Sequence, residues 1–266
     1  MKQKVQVLAS AMNQKDHSIL EEMKIQTDAI IINQSDKVEE EQITYKGRTI
    51  KFYTFNERGI GVSRNNAILR SSNDICVFAD EDEFFVDGYE KIILEEFKKN
   101  PKADMILFNV PSTNPKQPTV NIRKKSRVRK YNSLRYGAVN IAVKMEKLKK
   151  KNIFFSLLFG GGAKYSSGED SWFVYQCVKN KMKVYTSPQI IGYVRQEEST
   201  WFTGYNDKYF KDRGAFFCCL SNKWAKLLGL QFAIRKYKNF SKYKKLPEIV
   251  KLINQGILEF RQEENR

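Results

Sequence analysis

The chain has 266 residues, enough to bury one sizeable core with a C-terminal appendage, and its 41% hydrophobic and 13% aromatic content excludes a disordered chain. The 47 Lys and Arg against 30 Asp and Glu give a net charge of +17, a field that attracts nucleic acid, anionic lipid or anionic substrates without choosing among them. No run reaches the about 18 apolar residues of a membrane span. Cys76, Cys177, Cys218 and Cys219 form no C-x-x-C pair; the expectation is a cytoplasmic protein without a signal peptide, free or peripheral at the inner face of the membrane, with buried, reduced thiols.

In chain order, Val5–Ala9 reads as a first strand and Ser18–Lys24 as a short helix. Asp28–Asn33 is a continuous apolar run ended by polar residues, suited to a buried parallel strand. Lys51–Phe55 is a third strand, Ser63–Arg70 a helix and Ile75–Ala79 a fourth strand. Gly88–Asn100, with Ile92, Ile93 and Phe97 on one face, is a helix stopped before Pro101, and Met105–Val110 is a fifth strand. This alternation predicts an α/β architecture, a sheet layered between helices. Pro111, Pro115 and Pro118 mark a loop, and Ala138–Lys144 reads as a strand. Phe154–Phe159 precedes Gly160-Gly161-Gly162, Glu169–Asn180 is a helix, and Lys183–Thr186 and Ile190–Val194 are short strands around Pro188. From Lys208 onward the pattern is helical, basic and aromatic. The expected division is a catalytic part over 1–205, its nucleotide-binding half at about 1–110 and acceptor half at about 111–205, and a basic helical region over 206–266.

Two acidic clusters carry the chemistry. Asp80-Glu81-Asp82 directly follows the apolar run Ile75–Phe78, and Gly168-Glu169-Asp170 opens a helix. Carboxylates at a strand end can hold Mg2+ or Mn2+, which prefer oxygen ligands and are commonly shared with phosphates. A carboxylate on a separate loop can act as a base on an incoming hydroxyl. Metal, diphosphate and base together describe sugar transfer from a nucleotide donor. Ligands of open parallel sheets bind at the carboxyl ends of the strands, which here are Ser10–Asn13, Asn33–Asp36, Asn56–Gly61 and Asp80–Asp82. Ser10, Asn13, Asn33, Asp36, Arg64 and Asp80 are the expected donor-binding residues. The bland alternative for the Asp-Glu-Asp run is a solvated turn before a helix.

Three blocks resemble the family 2 glycosyltransferases, inverting enzymes of GT-A fold: Gly61-Val62-Ser63-Arg64-Asn65, Val77-Phe78-Ala79-Asp80-Glu81-Asp82, and Gly168-Glu169-Asp170 followed by Trp172-Phe173. A weaker fourth match runs from Tyr193-Val194-Arg195 to Ser199. The resemblance, over residues 4 to 200, implies a mixed, mostly parallel sheet. It also implies Asp82 as ligand of a bridging Mn2+ or Mg2+, Asp80 near the ribose or the metal, and Asp170 as base. Glu169 and Trp172 would lie on the acceptor side. Arg64 would sit near the nucleotide or anchor the Asp loop. The chain departs from the family's usual first and second blocks, with Ser10-Ala11-Met12-Asn13 and Asn33-Gln34-Ser35-Asp36 in their places. If Asn33 faces the base, its amide can accept from uracil or donate elsewhere; UDP is the first choice of donor nucleotide. The implied partners are a nucleotide-sugar and a glycan or lipid-linked glycan, in bacterial-type surface-polysaccharide assembly.

Two rivals come from other classes. A non-catalytic nucleic-acid-binding protein would use the +17 charge and the Tyr and Phe interleaved with Lys, but leaves the ordered acidic blocks unexplained, so nucleic acid is the disfavoured partner. A nucleotidyltransferase would need an early Gly-rich, Arg-containing phosphate loop that the chain lacks. Glu197 and Glu198 read as a solvated loop. The Lys-rich, apolar stretch 224–258 reads either as an amphipathic surface for anionic membrane or as helices packing on the core.

Overall fold

The computed structural model describes residues 3–196 and 204–264; the expectations for Glu197, Glu198 and Ser199 lie outside the described residues. The chain forms two compact units.

The first unit comprises residues 1–157 and 169–198. Its elements are β1 (Val5–Met12), α1 (Ile19–Glu22), β2 (Asp28–Gln34), β3 (Glu39–Tyr45), β4 (Arg48–Phe55), α2 (Ile60–Arg70), β5 (Ile75–Asp80), β6 (Glu83–Phe85), α3 (Tyr89–Lys99), β7 (Met105–Asn109), β8 (Ser126–Arg127), β9 (Ile141–Lys144), α4 (Met145–Lys150), α5 (Glu169–Lys179), β10 (Val184–Ile190) and β11 (Gly192–Val194). Nine strands form one sheet in the order β3-β4-β2-β1-β5-β9-β7-β10-β8. β4, β2, β1 and β5 run parallel, as do β7 and β10, while β3, β8 and β9 are antiparallel to their neighbours. The layered sheet expected from the alternating pattern is therefore present, and it is mixed and mostly parallel as the resemblance implied.

Side-chain alternation along the strands sorts the core onto two faces. Val5, Val7, Ala9 and Ala11 of β1 pack with Ile19, Leu20 and Met23 around α1 and Tyr89, Ile93 and Phe97 of α3. Leu8 packs on the opposite side with Ala67 and Ile68 of α2, Leu148 of α4 and Phe173, Val174 and Cys177 of α5. The result is helix, sheet, helix, with the parallel strand ends of β1, β2, β4 and β5 on one edge.

Several local expectations change. β3 was not anticipated because Glu39, Glu40 and Glu41 look like a solvated run; as an edge strand they discourage further pairing. Residues 138–140 form a 3-10 turn and only Ile141–Lys144 pairs as a strand. β10 continues through Pro188, absorbing it by a register shift between Thr186 and Ile190. Cys76, Cys177 and Cys218 are buried and Cys219 is half-buried; the Cys218 thiol donates to the Ile257 carbonyl.

The second unit comprises residues 158–168 and 199–266. Its helices are α6 (Asp207–Leu220), α7 (Ala225–Phe240) and α8 (Leu246–Glu264). Residues 158–168, assigned to the catalytic part in the sequence division, pack here: Asp212 of α6 accepts from the backbone N and the hydroxyl of Ser166 at 2.8 and 2.7 Å. α6 and α8 meet backbone to backbone, because a Cβ on Gly256 would overlap the Lys211 carbonyl and one on Gly214 the Ile253 carbonyl. Gly256→Ala is therefore expected to cost about 3 kcal/mol or more, the upper end for overpacking, since a backbone cannot rotate aside. Gly229→Ala, which meets a side-chain methyl of Ile253 at 2.6 Å, should cost less. Urea unfolding midpoints of the two variants check this order.

Candidate active site

The site is assembled at the carboxyl edge of the parallel strands. Asp80 ends β5, Glu81 and Asp82 form the turn to β6, and Arg64 projects from α2. α2 can start close to the 156 backbone because residue 61 is glycine; a Cβ there would lie 2.6 Å from the Ser156 carbonyl oxygen. One turn on, the Asn65 amide donates to the Phe155 carbonyl and accepts from its N–H at 2.9 and 2.8 Å. The Phe155 ring stacks on Phe173 of α5 at 3.9 Å, and the Arg64 guanidinium lies over it at 5.2 Å. The Gly-x-x-Arg-Asn sequence thus sets a floor of two aromatic rings beneath one cation.

Arg64 is 3% exposed and joins both acidic clusters. Its Nη2 donates to both oxygens of Asp80 at 2.9 and 3.0 Å; its Nη1 donates to Asp170 at 2.6 Å and reaches Glu169 at 3.5 Å. The planar fork is the geometry that lets one Arg bridge several carboxylates. Burial works against its charge, but Asp170, Asp80 and Glu169 outweigh that and raise its proton affinity. Arg64 thus ties the end of β5 to the start of α5.

Burial pushes the Asp170 carboxyl above the ordinary range, with Arg64 pulling it back. Burial and then Asp170 push Glu169 up. Asp82 is pushed up to about 6 by burial, Asp80 and Glu81, against hydrogen bonds from backbone N–H groups. Glu83 is fully buried, and burial followed by Asp80 and Asp82 raises it well above its usual value. β6 pairs antiparallel with β11, and Arg195 N donates to the Asp82 carbonyl at 3.0 Å, tying the acidic turn to the weak fourth motif.

The remaining expected residues divide. Ser10 is buried and its hydroxyl accepts from Ser63 at 2.8 Å, locking β1 to α2. Asn33 is also buried; its oxygen accepts from Gln14 N, and its amide donates to the Gln14 carbonyl and Thr54 hydroxyl. Asn33 thereby ties the loop at Gln14 to β4. Asn13 is exposed with φ +55, and Asp36 is exposed with an oxygen accepting from the Ser35 hydroxyl. Trp172 is half-buried and stacks on Tyr175 at 5.6 Å. Residues not anticipated are Phe155, Asn65 as its clamp, and Glu81, which accepts from Met12 N and the Gln14 amide at 2.9 Å each. The Arg-Asn pair was visible in sequence, but its contacts some 90 residues away were not.

A carboxylate-bridging Arg at the edge of a mixed, layered sheet, with one carboxylate at a strand end and another at a helix start, is an arrangement suited to group transfer. The chain belongs to glycosyl transferase family 2, whose model matches residues 6–156, and is a glycosyltransferase. Its fold is GT-A: S. aureus TarS 1-349 in complex with UDP-GlcNAc is similar with a TM-score of 0.68 at 15% identity, covering 96% of this chain and 80% of that one. TarS 1-349 in complex with UDP gives 0.63 at 14% identity over 92% of this chain and 76% of that one. TarS 1-349 alone gives 0.62 at 12% over 98% and 92%. At these identities the likeness shows the fold. No curated protein matches the sequence. Family membership sets aside the nucleic-acid-binding and nucleotidyltransferase readings.

Proposed function

We propose that the enzyme transfers a sugar from a nucleotide-diphosphate sugar, UDP-sugar first, to a hydroxyl of a glycan or lipid-linked glycan, with inversion and with a divalent metal. The observation that carries this is the Arg64 bridge, which holds a strand-end carboxylate and a helix-start carboxylate on one guanidinium. The UDP and UDP-GlcNAc bound to the TarS structures support the choice of donor.

In this reading Asp170 takes the proton of the acceptor hydroxyl. The acceptor oxygen bonds to the anomeric carbon as the bond to the diphosphate oxygen breaks, and the diphosphate leaves with the electron pair. Attack from the face opposite the leaving group inverts the centre. Burial keeps Asp170 more basic than a solvated aspartate, which suits a base, while the Arg64 charge pulls its proton affinity back.

Among the described residues no group of three or more His, Cys, Asp or Glu could hold a metal by itself. The carboxylates present nevertheless fit Mg2+ or Mn2+ shared with a diphosphate, which is commonly held by one or two protein carboxylates. Asp82 has the character of such a ligand: burial, and then Asp80 beside it, raise its proton affinity, and a bound cation would offset both. Asp82, with Asp80 beside it, would hold the ion, which when bound would offset charge developing on the leaving diphosphate. Asp82→Ala should abolish the manganese-dependent part of UDP affinity by calorimetry and leave the metal-free part unchanged. The variant should melt no lower than the parent at neutral pH, because it loses a carboxylate whose charge the fold disfavours. Equal UDP affinity of the two proteins in manganese removes Asp82 from the metal site.

A further inference from the structure

The helix α7 has two different faces. Ala225, Gly229, Ala233 and Phe240 are buried, and Gly229 lets the helix approach Ile253 of α8 closely. On the opposite side Trp224, Leu227, Leu230 and Ile234 are 54, 57, 40 and 57% exposed. Their spacing of three and four residues makes a continuous stripe along the helix. An isolated exposed leucine needs no explanation, but a contiguous stripe containing a tryptophan marks an interaction surface. Packing on the rest of the second unit does not use this stripe, so core completion accounts only for the inner face.

Charge selects the occupant. Between Ser221 and Pro247 the chain has eight Lys or Arg and no Asp or Glu. Lys226 and Arg235 flank the stripe on its two sides and Lys238 extends its line; all three are exposed. A protein interface of this size would be expected to mix charges around an apolar centre, and a nucleic-acid surface would not set four aliphatic or indole side chains in its middle. An apolar row edged by cations matches the hydrocarbon boundary and anionic headgroups of a membrane leaflet. Among the described residues no helix is long and apolar enough to cross a membrane, so the contact is one of lying on the surface.

We propose that the outer face of α7 docks this enzyme on an anionic membrane surface, with Trp224, Leu227, Leu230 and Ile234 entering the interface and Lys226, Arg235 and Lys238 meeting headgroup phosphates. The inference stands apart from the assignment of donor and base.

The full chain tests it in sedimentation with vesicles of phosphatidylcholine alone and of phosphatidylcholine mixed with phosphatidylglycerol. The parent should bind only the mixed vesicles and weaken as salt rises, retaining a salt-resistant part. The combined K226E, R235E and K238E variant should bind mixed vesicles at least about 100-fold more weakly, at roughly five-fold per charge. The combined W224S, L227S and I234S variant should lose the salt-resistant part. All changed side chains are exposed, so both variants should melt as the parent does and bind UDP equally. Absent binding by the parent, or equal binding to neutral vesicles, overturns the proposal. So does an apolar-face variant that binds mixed vesicles as the parent does, since the cations would then be adhering to any polyanion. An unfolded triple variant is replaced by L227S alone, which must show a partial loss of the same kind.

Discussion

Replacing Arg64 with methionine is expected to destabilise the protein by about 3 kcal/mol, the lower end of the range for leaving a buried charge uncompensated. The lower end applies because Asp80 and Asp170 keep side-chain exposures of 34 and 27%, so water recovers part of what the guanidinium supplied. For a chain of this length the melting temperature should fall by roughly 6–12 °C. The loss must depend on pH. Glu169 and Asp170 already lie above their ordinary values with Arg64 present, and removing the cation raises them further. A carboxyl whose folded value exceeds its unfolded value binds more protons in the native state. Its folding penalty therefore grows as pH rises from about 4 through the folded value. The gap between variant and parent should be widest at neutral and alkaline pH and narrow in mild acid. Arg64→Lys keeps the charge but loses the fork, and should fall between the two. Melting curves across pH check all three; a gap that does not change with pH would mean that Arg64 acts by packing on Phe155.

The second large effect is on transfer. Asp170→Asn is nearly isosteric but cannot take a proton, so the sugar-transfer rate should fall roughly 100-fold or more. UDP binding should stay near the parent's, because the substitution leaves Asp80 and Asp82 in place. Since the variant also relieves Arg64 of one counter-charge, a modest change in melting temperature should accompany the loss. Transfer within a few-fold of the parent, measured with a glycan acceptor, would remove Asp170 from the role of base.

The layered sheet was legible because its strands are buried on both faces. Ala29–Ile32 and Ile75–Ala79 are unbroken apolar runs of the kind that buried parallel strands carry. β3 was not, because an edge strand need not be apolar and Glu39–Glu41 carry no period. The acidic blocks stood out in the sequence as two carboxylate clusters next to buried elements. What joins them was open: Arg64 could have faced a nucleotide, and only the fold shows it spanning Asp80 and Asp170. The bonds that tie Asn33 to Gln14 and Thr54 were likewise not legible, since they join residues 19 and 21 positions apart. Phe155 left no local trace, because stacking with Phe173 and clamping by Asn65 are contacts at long sequence separation.

The route of the chain also bears on how the enzyme can be dissected. Residues 158–168 leave the catalytic sheet, pack in the helical unit and hand the chain back at Glu169, one residue before Asp170. Within that excursion Ser166 is tied to Asp212, and Gly168 adopts φ +124 where a Cβ would fall 2.8 Å from the Phe216 ring. A stop codon after residue 205 would therefore not release a catalytic domain. It would strip an internal loop of its partners and leave the peptide entering α5 unsupported, so an inactive truncation would say nothing about whether the helices bind substrate. The separable piece is defined by two cuts and a short bridge from Leu157 to Glu169, a circularly minded deletion in place of a terminal one.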